Sequence, residues 1–260
     1  MKITFLGSGG AFADYRVNYH NNALVETSEG PVLIDCGYTA CQSLKELGLH
    51  PCSLRAVLFT HLHSDHASPE QLIWERYYSG PHGHPAFQKT RLVAPGELLG
   101  PMKRSLEAYI NIFSDAHGEV RDDGIDALVD FDIQQEVEIG DTRFRYFRVP
   151  HVSGARIEKD AFGIEIIQGE RRVFWSGDTT FSPDWVLRAA DNPEVVQIFH
   201  ECTFLPKTPG TVHTHWSELL SLPEETLRRI TLMHHTQVPT GVDVSMVNDA
   251  ARRHQVFDLK

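Results

Sequence analysis

Residues 56–66 read Ala-Val-Leu-Phe-Thr-His-Leu-His-Ser-Asp-His, a short apolar run that delivers four metal-type side chains in quick succession. Ala56 to Thr60 has the composition of a buried strand. His61 and His63, one residue apart, can point to one ion from an extended turn. Asp65 and His66 follow immediately and can turn towards a second. Zinc prefers imidazole nitrogen and carboxylate oxygen, and a catalytic site keeps a position open for water. The ordinary alternative is a polar loop that happens to be rich in histidine. Four ligand-type residues at this spacing, directly after a buried strand, argue against it.

Working outward, the same arrangement recurs. His151, Asp178, Glu201 and His234 each follow an apolar strand-like segment: Phe144 to Val149, Arg172 to Trp175, Val195 to Phe199 and Ile230 to Met233. Five strand ends that deliver ligand-type residues, His61 included, imply one shared rim. Further strands are expected at Ile3 to Leu6, Asn22 to Thr27, Pro31 to Cys36, Arg91 to Ala94, Val137 to Ile139 and Phe162 to Ile167. Helical spacing covers Ala40 to Leu47, Pro69 to Tyr78, Gly96 to Phe113, Pro183 to Ala190, most of Trp216 to Ile230, and Val244 to Arg253. Strands come first in groups and then alternate with helices, which predicts an α/β fold with sheets sandwiched between helices. With no repeat or linker, residues 1–260 are expected to form one domain.

Composition narrows the function. The chain has 260 residues, 41% of them hydrophobic, and a formal net charge of -11. That balance argues against broad binding to phosphate backbones, which needs clustered Lys and Arg. A small anionic substrate stays compatible, because bound cations reverse the local field. The four cysteines, Cys36, Cys41, Cys52 and Cys202, form no CxxC pair and read as reduced thiols. Met1 to Phe5 lacks the apolar run of a signal peptide and nothing approaches a membrane span, so a cytoplasmic protein with no membrane partner is expected.

The run His61-x-His63-x-Asp65-His66 resembles the signature of the metallo-β-lactamase superfamily, whose fold is an αββα sandwich. Val149-Pro150-His151 resembles its next histidine, Ser176-Gly177-Asp178-Thr179 its metal-bridging aspartate, and Leu232-Met233-His234 its last histidine. The resemblance implies a first site of His61, His63, His151 and Asp178, and a second of Asp65, His66, Asp178 and His234. His235 competes with His234 for the last place; the strand end favours His234. Leu33-Ile34-Asp35-Cys36-Gly37 matches a family strand whose aspartate supports the ligands from behind. The implied cofactor is two Zn2+ per chain, with Mn2+ as the other metal the site would take.

A superfamily does not settle a reaction. Phe5-Leu6-Gly7-Ser8-Gly9, His200-Glu201-Cys202-Thr203-Phe204 and His213-Thr214-His215-Trp216-Ser217-Glu218-Leu219 resemble elements of the ribonuclease Z-like phosphodiesterase branch. That resemblance makes Asp65, Glu201 and His213 the catalytic residues, the last two passing a proton to the leaving oxygen. The alternative for His213 and His215 is a capped helix start. Ribonuclease Z inserts a long arm that grips transfer RNA between the His151-type and Asp178-type ligands; here only Val152 to Gly177 intervene. Gly9-Gly10-Ala11-Phe12 with Asn21-Asn22-Ala23 resembles the anti-Pycsar family, which implies hydrolysis of 3′,5′-cyclic nucleotides to nucleoside monophosphates by a metal-bridging hydroxide. That family is dimeric, so a homodimer is expected, with 80–117 as candidate lid or dimer segment and His82, His84 and Tyr109 as candidate substrate contacts. The alternatives are an RNA 3′-end endonuclease, which predicts a basic patch, and a lactone or thioester hydrolase, which would not need Glu201 and His213.

Overall fold

In the computed structural model, residues 1–79, 89–110, 113–114, 120–121, 124–154 and 157–260 are described. Two seven-stranded sheets dominate. In space, the first runs Val256–Asp258, Lys2–Gly7, Asn22–Thr27, Gly30–Ile34, Ala56–Leu58, Thr90–Ala94 and Val129–Ile133. The second runs Asp249–Ala250, Ile230–Met233, Val195–Glu201, Arg171–Trp175, Phe162–Gln168, Thr142–Arg148 and Glu136–Ile139. Each sheet is part antiparallel and part parallel. Gly30–Ile34 pairs in parallel with Ala56–Leu58, and Arg171–Trp175, Val195–Glu201 and Ile230–Met233 are parallel to one another.

The sheets face each other across an aromatic centre. Phe5 of the first lies 5.2 Å from both Trp175 and Phe199 of the second, measured between ring centroids. All three are fully buried, and each contributes about 1.5–3 kcal/mol of hydrophobic stabilisation. Leu44, Leu72, Ile73, Leu98 and Leu106, from helices Ala40–Glu46, Glu70–Ser79 and Gly96–Ile110, join that core from outside the first sheet. Trp185 and Val186 of Pro183–Asp191, with Leu219 and Leu227, pack with Ile198, Ile230 and Leu232 on the other face of the second sheet. This is the expected αββα sandwich.

Some elements differ from the sequence expectation. Val244 to Arg253 is not a helix. Asn248 N–H donates to the Ile230 carbonyl and Ala251 N–H to Leu232, each at 2.8 Å, so Asp249–Ala250 becomes an edge strand. Asp243 and Asp249 also accept from the N–H groups of Ser245 and Ala250, local bonds that compete with helix formation. Trp216 to Ile230 holds two short helices, Trp216–Leu219 and Glu224–Leu227, broken before Pro223, because the residue preceding a proline is driven away from helical backbone. The helix is described over Gly96–Ile110, and Phe113, expected as its last residue, is instead in a strand, Phe113–Ser114, that pairs with Val120–Arg121. Val129–Ile133 and Val256–Asp258 are edge strands that sequence reasoning missed. Of the candidate contacts in 80–117, His82 and His84 lie outside the described residues; Tyr109 is exposed on helix Gly96–Ile110.

Candidate metal centre

Parallel strands end on one edge, and such ends are where α/β sheets present ligand-binding groups. Thr60 and His61 follow Ala56–Leu58, Asp35 follows Gly30–Ile34, Asp178 follows Arg171–Trp175, Glu201 ends its strand, and His234 follows Ile230–Met233. Thr142–Arg148 runs in the same direction, two antiparallel pairings away from Arg171–Trp175, and brings His151 to that edge.

All seven expected ligand side chains meet there. His61, His63, His151 and Asp178 place one donor atom each within 4.8 Å of one another, as do Asp65, His66, Asp178 and His234. In the first group, His63 Nδ1 is 3.1 Å from His61 Nε2 and 3.2 Å from His151 Nε2, and His61 Nε2 is 3.6 Å from Asp178 Oδ2. In the second, His66 Nε2 is 3.3 Å from Asp65 Oδ2 and 3.3 Å from Asp178 Oδ1. His234 Nε2 is 3.3 Å from Asp65 Oδ2 and 3.3 Å from Asp178 Oδ2. Asp178 belongs to both groups.

The donors are held from behind. His66 Nδ1–H donates to Asp35 Oδ2 at 2.8 Å. Asp35 also accepts from Thr60 N–H at 2.8 Å and Thr60 Oγ1–H at 2.8 Å. His61 Nδ1–H faces Thr60 Oγ1 at 3.2 Å, and His151 Nδ1–H donates to the Val212 carbonyl at 3.0 Å. Each bond leaves the opposite ring nitrogen, Nε2, as a lone-pair donor aimed inward. Thr60 and Val212 were missed from sequence: a threonine ending a strand looks like an ordinary β-former, and a backbone carbonyl leaves no signal. Asn22 was read only as a strand start and for resemblance; its Oδ1 accepts from Gly37 N–H at 3.1 Å.

Backbone geometry shows why this order of residues is needed. Asp35 and His234 adopt left-handed φ of 58° and 59°, a conformation that non-glycine residues take at a cost, typically at functional sites. Gly37 packs so closely that a Cβ would lie 1.9 Å from the Asp65 carbonyl oxygen. Gly177 has φ of 60°, and a Cβ there would lie 2.5 Å from the Phe162 carbonyl oxygen. Both glycines are therefore obligatory for placing Asp65 and Asp178.

The donor set fits a divalent cation. His66 Nε2 and Asp178 Oδ1 are buried inside it without hydrogen-bond partners among the described residues, which is unfavourable unless something positive and electron-accepting lies between such atoms. Imidazoles with carboxylates suit a borderline metal such as zinc. Burial alone would raise the Asp178 carboxyl, but His234, His66 and His61 hold it well below the usual carboxylate range.

Glu201 and His213 stand beside the cluster. His213 Nδ1–H donates to Glu201 Oε2 at 2.9 Å, and Glu201 Oε1 accepts from Thr179 N–H at 2.6 Å. Burial opposes charge on His213, yet the bond to Glu201 raises its pKa above the ordinary 6.5. His215 lies apart, as a helix cap: Ser217 N–H donates to its Nδ1 at 3.2 Å, and its own N–H donates to Glu218 Oε2 at 3.0 Å. His235 turns away from the cluster and meets the Phe204 ring at 6.0 Å.

Cys36, Cys41, Cys52 and Cys202 are free thiols. No helix among the described residues is long and apolar enough to cross a membrane.

Comparison with known proteins gives this arrangement a lineage. The family described as Anti-Pycsar protein Apyc1 matches residues 1–257. The Anti-Pycsar protein Apyc1 of Paenibacillus sp. (strain J14) is 31% identical over 266 residues, covering 100% of this chain and 99% of that protein. Its counterpart from Saccharibacillus brassicae is 32% identical over 244 residues, covering 90% of each. The crystal structure of human tRNase Z, short form, superposes with a TM-score of 0.69 at 17% identity, over 100% of both chains, a likeness of fold. Because the family match spans nearly the whole chain, the protein belongs to the Anti-Pycsar Apyc1 family, and through it to the metal-dependent hydrolases built on the metallo-β-lactamase fold.

Proposed function

We propose that the chain is a phosphodiesterase with two zinc ions that opens 3′,5′-cyclic nucleotides to nucleoside monophosphates. The observation that carries this reading is the pairing of two donor groups through Asp178 with a hydrogen-bonded Glu201–His213 pair at their side. In this reading, His61, His63, His151 and Asp178 hold one ion, and Asp65, His66, Asp178 and His234 the other. Bound there, the metals supply Lewis acidity for a phosphoryl group and an acidified water as nucleophile. Everything else falls to the protein. Asp35, Thr60 and the Val212 carbonyl fix the histidine tautomers. Asp178 and Asp65 concentrate negative charge where cations are wanted. Glu201, buried and charged, orients His213 and favours its protonated form. His213 Nε2 then gives a proton to the departing ribose oxygen, a transfer worth about 10²–10⁴ in rate.

Glu201 and His213 favour an ester with a poor leaving group, since a departing alkoxide needs a proton. A lactone or thioester hydrolase has less use for them. The space between His151 and Asp178 is taken by the short hairpin of Val152–Gly154 and Ile157–Lys159, followed by Phe162–Gln168 and Arg171–Trp175, with no long arm for transfer RNA. The homodimer belongs to the same proposal, and sedimentation of the purified chain tests it.

The deciding experiment incubates zinc-loaded protein with a panel of 3′,5′-cyclic nucleotides beside a 3′-extended transfer RNA, and resolves the products. Opening of the cyclic nucleotides, abolished by chelator, supports the proposal. Cleavage of the RNA alone overturns it in favour of the endonuclease.

A further inference from the structure

The loop from Gly10 to Tyr19 borders the metal centre. Gly10 lies against the His234 ring, where an added Cβ would stand 3.2 Å from Cε1. Gly9 N–H donates to the Tyr19 carbonyl at 2.7 Å, and Asn21 N–H to the Gly9 carbonyl at 2.9 Å, which ties the loop at its base. Inside it, the N–H groups of Val17 and Asn18 both donate to the Asp14 carbonyl, and Arg16 pairs with the Asp14 carboxylate at 2.6 Å. A loop fastened this way has a defined shape.

Its rings are nevertheless left in water. Phe12 is 102% exposed and Tyr15 46% exposed. Tyr38, at 61% exposure, stands on the same rim, next to the Gly37 that touches Asp65. Both tyrosines meet the buried ring of His20. Tyr15 Oη is 3.1 Å from His20 Nε2, and the two rings meet edge to face at 5.2 Å. Tyr38 meets the His20 ring at a tilt of 54°, with ring centroids 6.2 Å apart. His20 itself is held by its backbone N–H, which donates to Thr39 Oγ1 at 2.9 Å. Scattered exposed rings need no explanation. Two exposed tyrosines that meet one buried histidine, beside a metal centre, do.

We propose that Tyr15 and Tyr38 form the platform on which the base of the substrate stacks while its phosphodiester occupies the metal centre. The inference rests on the cyclic-nucleotide reading and names the part of that site that grips the base. A tyrosine ring presents a large rigid face at small conformational cost. Stacking one base on an aromatic side chain is worth about 5- to 150-fold in affinity and tolerates any base, because every base has a π face. Such a platform reads the face of the base and not its edge.

The test measures kcat and KM for a purine 3′,5′-cyclic nucleotide and for the abasic ribose 3′,5′-cyclic phosphate, in the zinc-loaded wild type, Tyr38→Ala, Tyr38→Phe and Tyr15→Ala. In Tyr38→Ala and Tyr15→Ala, the ratio of kcat/KM for nucleotide over abasic ester should fall about 5- to 150-fold, mainly through KM, and Tyr38→Phe should restore it. Tyr38 is 61% exposed and meets His20 through its ring, so Tyr38→Ala decides the matter even if Tyr15→Ala does not fold. An unchanged ratio in Tyr38→Ala overturns the platform, as does an equal loss on both substrates, which marks a structural role. A wild type that opens the abasic ester but no cyclic nucleotide overturns the proposed function itself, and the platform with it.

Discussion

Replacing Asp35 by Asn changes one oxygen to NH2 in a side chain that is fully buried and accepts three hydrogen bonds, from Thr60 N–H, Thr60 Oγ1–H and His66 Nδ1–H. Asn tolerates the left-handed φ of 58° found here, so the backbone is not additionally strained. The amide has two orientations, and each leaves a donor facing a donor. If Nδ2 turns to His66, the imidazole must lose its Nδ1 proton or its bond, and a proton moved to Nε2 blocks the atom that faces Asp65 and Asp178. If Nδ2 turns to the Thr60 N–H instead, a buried backbone donor is orphaned. A buried donor left unpaired costs about 1–3 kcal/mol. Removing the group behind a metal-binding histidine typically costs 10–100-fold in metal affinity, about 1.4–2.7 kcal/mol on the same scale. The first orientation should therefore weaken zinc binding by about 10–100-fold in a chelator competition. The second should lower Tm by roughly 2–12 °C, at about 2–4 °C per kcal/mol for a chain of this size. Asp35→Ala, which loses all three bonds and adds backbone strain of about 1–2 kcal/mol, should do worse on both measures. An Asp35→Asn protein with wild-type zinc affinity and wild-type Tm would refute the reasoning.

Other perturbations separate the remaining roles. Asp178→Ala should reduce bound metal as well as rate; two ions per chain in that variant, by metal analysis, would remove Asp178 from the bridging role. His213→Ala should keep its metal and slow turnover by about 10²–10⁴ on esters with poor leaving groups; equal slowing on a nitrophenyl ester would end its assignment as the acid. His234→Ala should lose metal where His235→Ala does not, and the reverse result in a zinc titration would exchange their roles. Gly177→Ala should lower both Tm and metal content, because its Cβ would lie 2.5 Å from the Phe162 carbonyl oxygen; wild-type values for both would show that the Asp178 turn tolerates a side chain.

The sequence by itself determined the side chains that meet at the rim. The seven follow four short apolar runs, four of them after Ala56 to Thr60, and a strand end with its turn is local information, set by neighbouring residues. The order of strands and helices likewise implied the sandwich. What lay beyond local reading was decided by packing. Asp249–Ala250 is a strand only because the Ile230–Met233 edge offers it hydrogen bonds; isolated, Val244 to Arg253 reads as a helix. His213 meets Glu201 and His215 caps a helix because Thr203, just beyond Glu201, pairs with the chain between them: Thr203 N–H bonds the Thr214 carbonyl at 2.8 Å. The strand end favoured His234 over His235 in the sequence; the fold sets the His234 nitrogen among Asp65, His66 and Asp178 on a left-handed backbone, while His235 meets Phe204. Tyr15 and Tyr38, far apart in the chain and unremarkable in composition, become a pair only when two loops of the first sheet close around His20. Side-chain chemistry is written in the chain; which of those side chains share a volume of space depends on contacts between distant segments, and those exist only in the folded molecule.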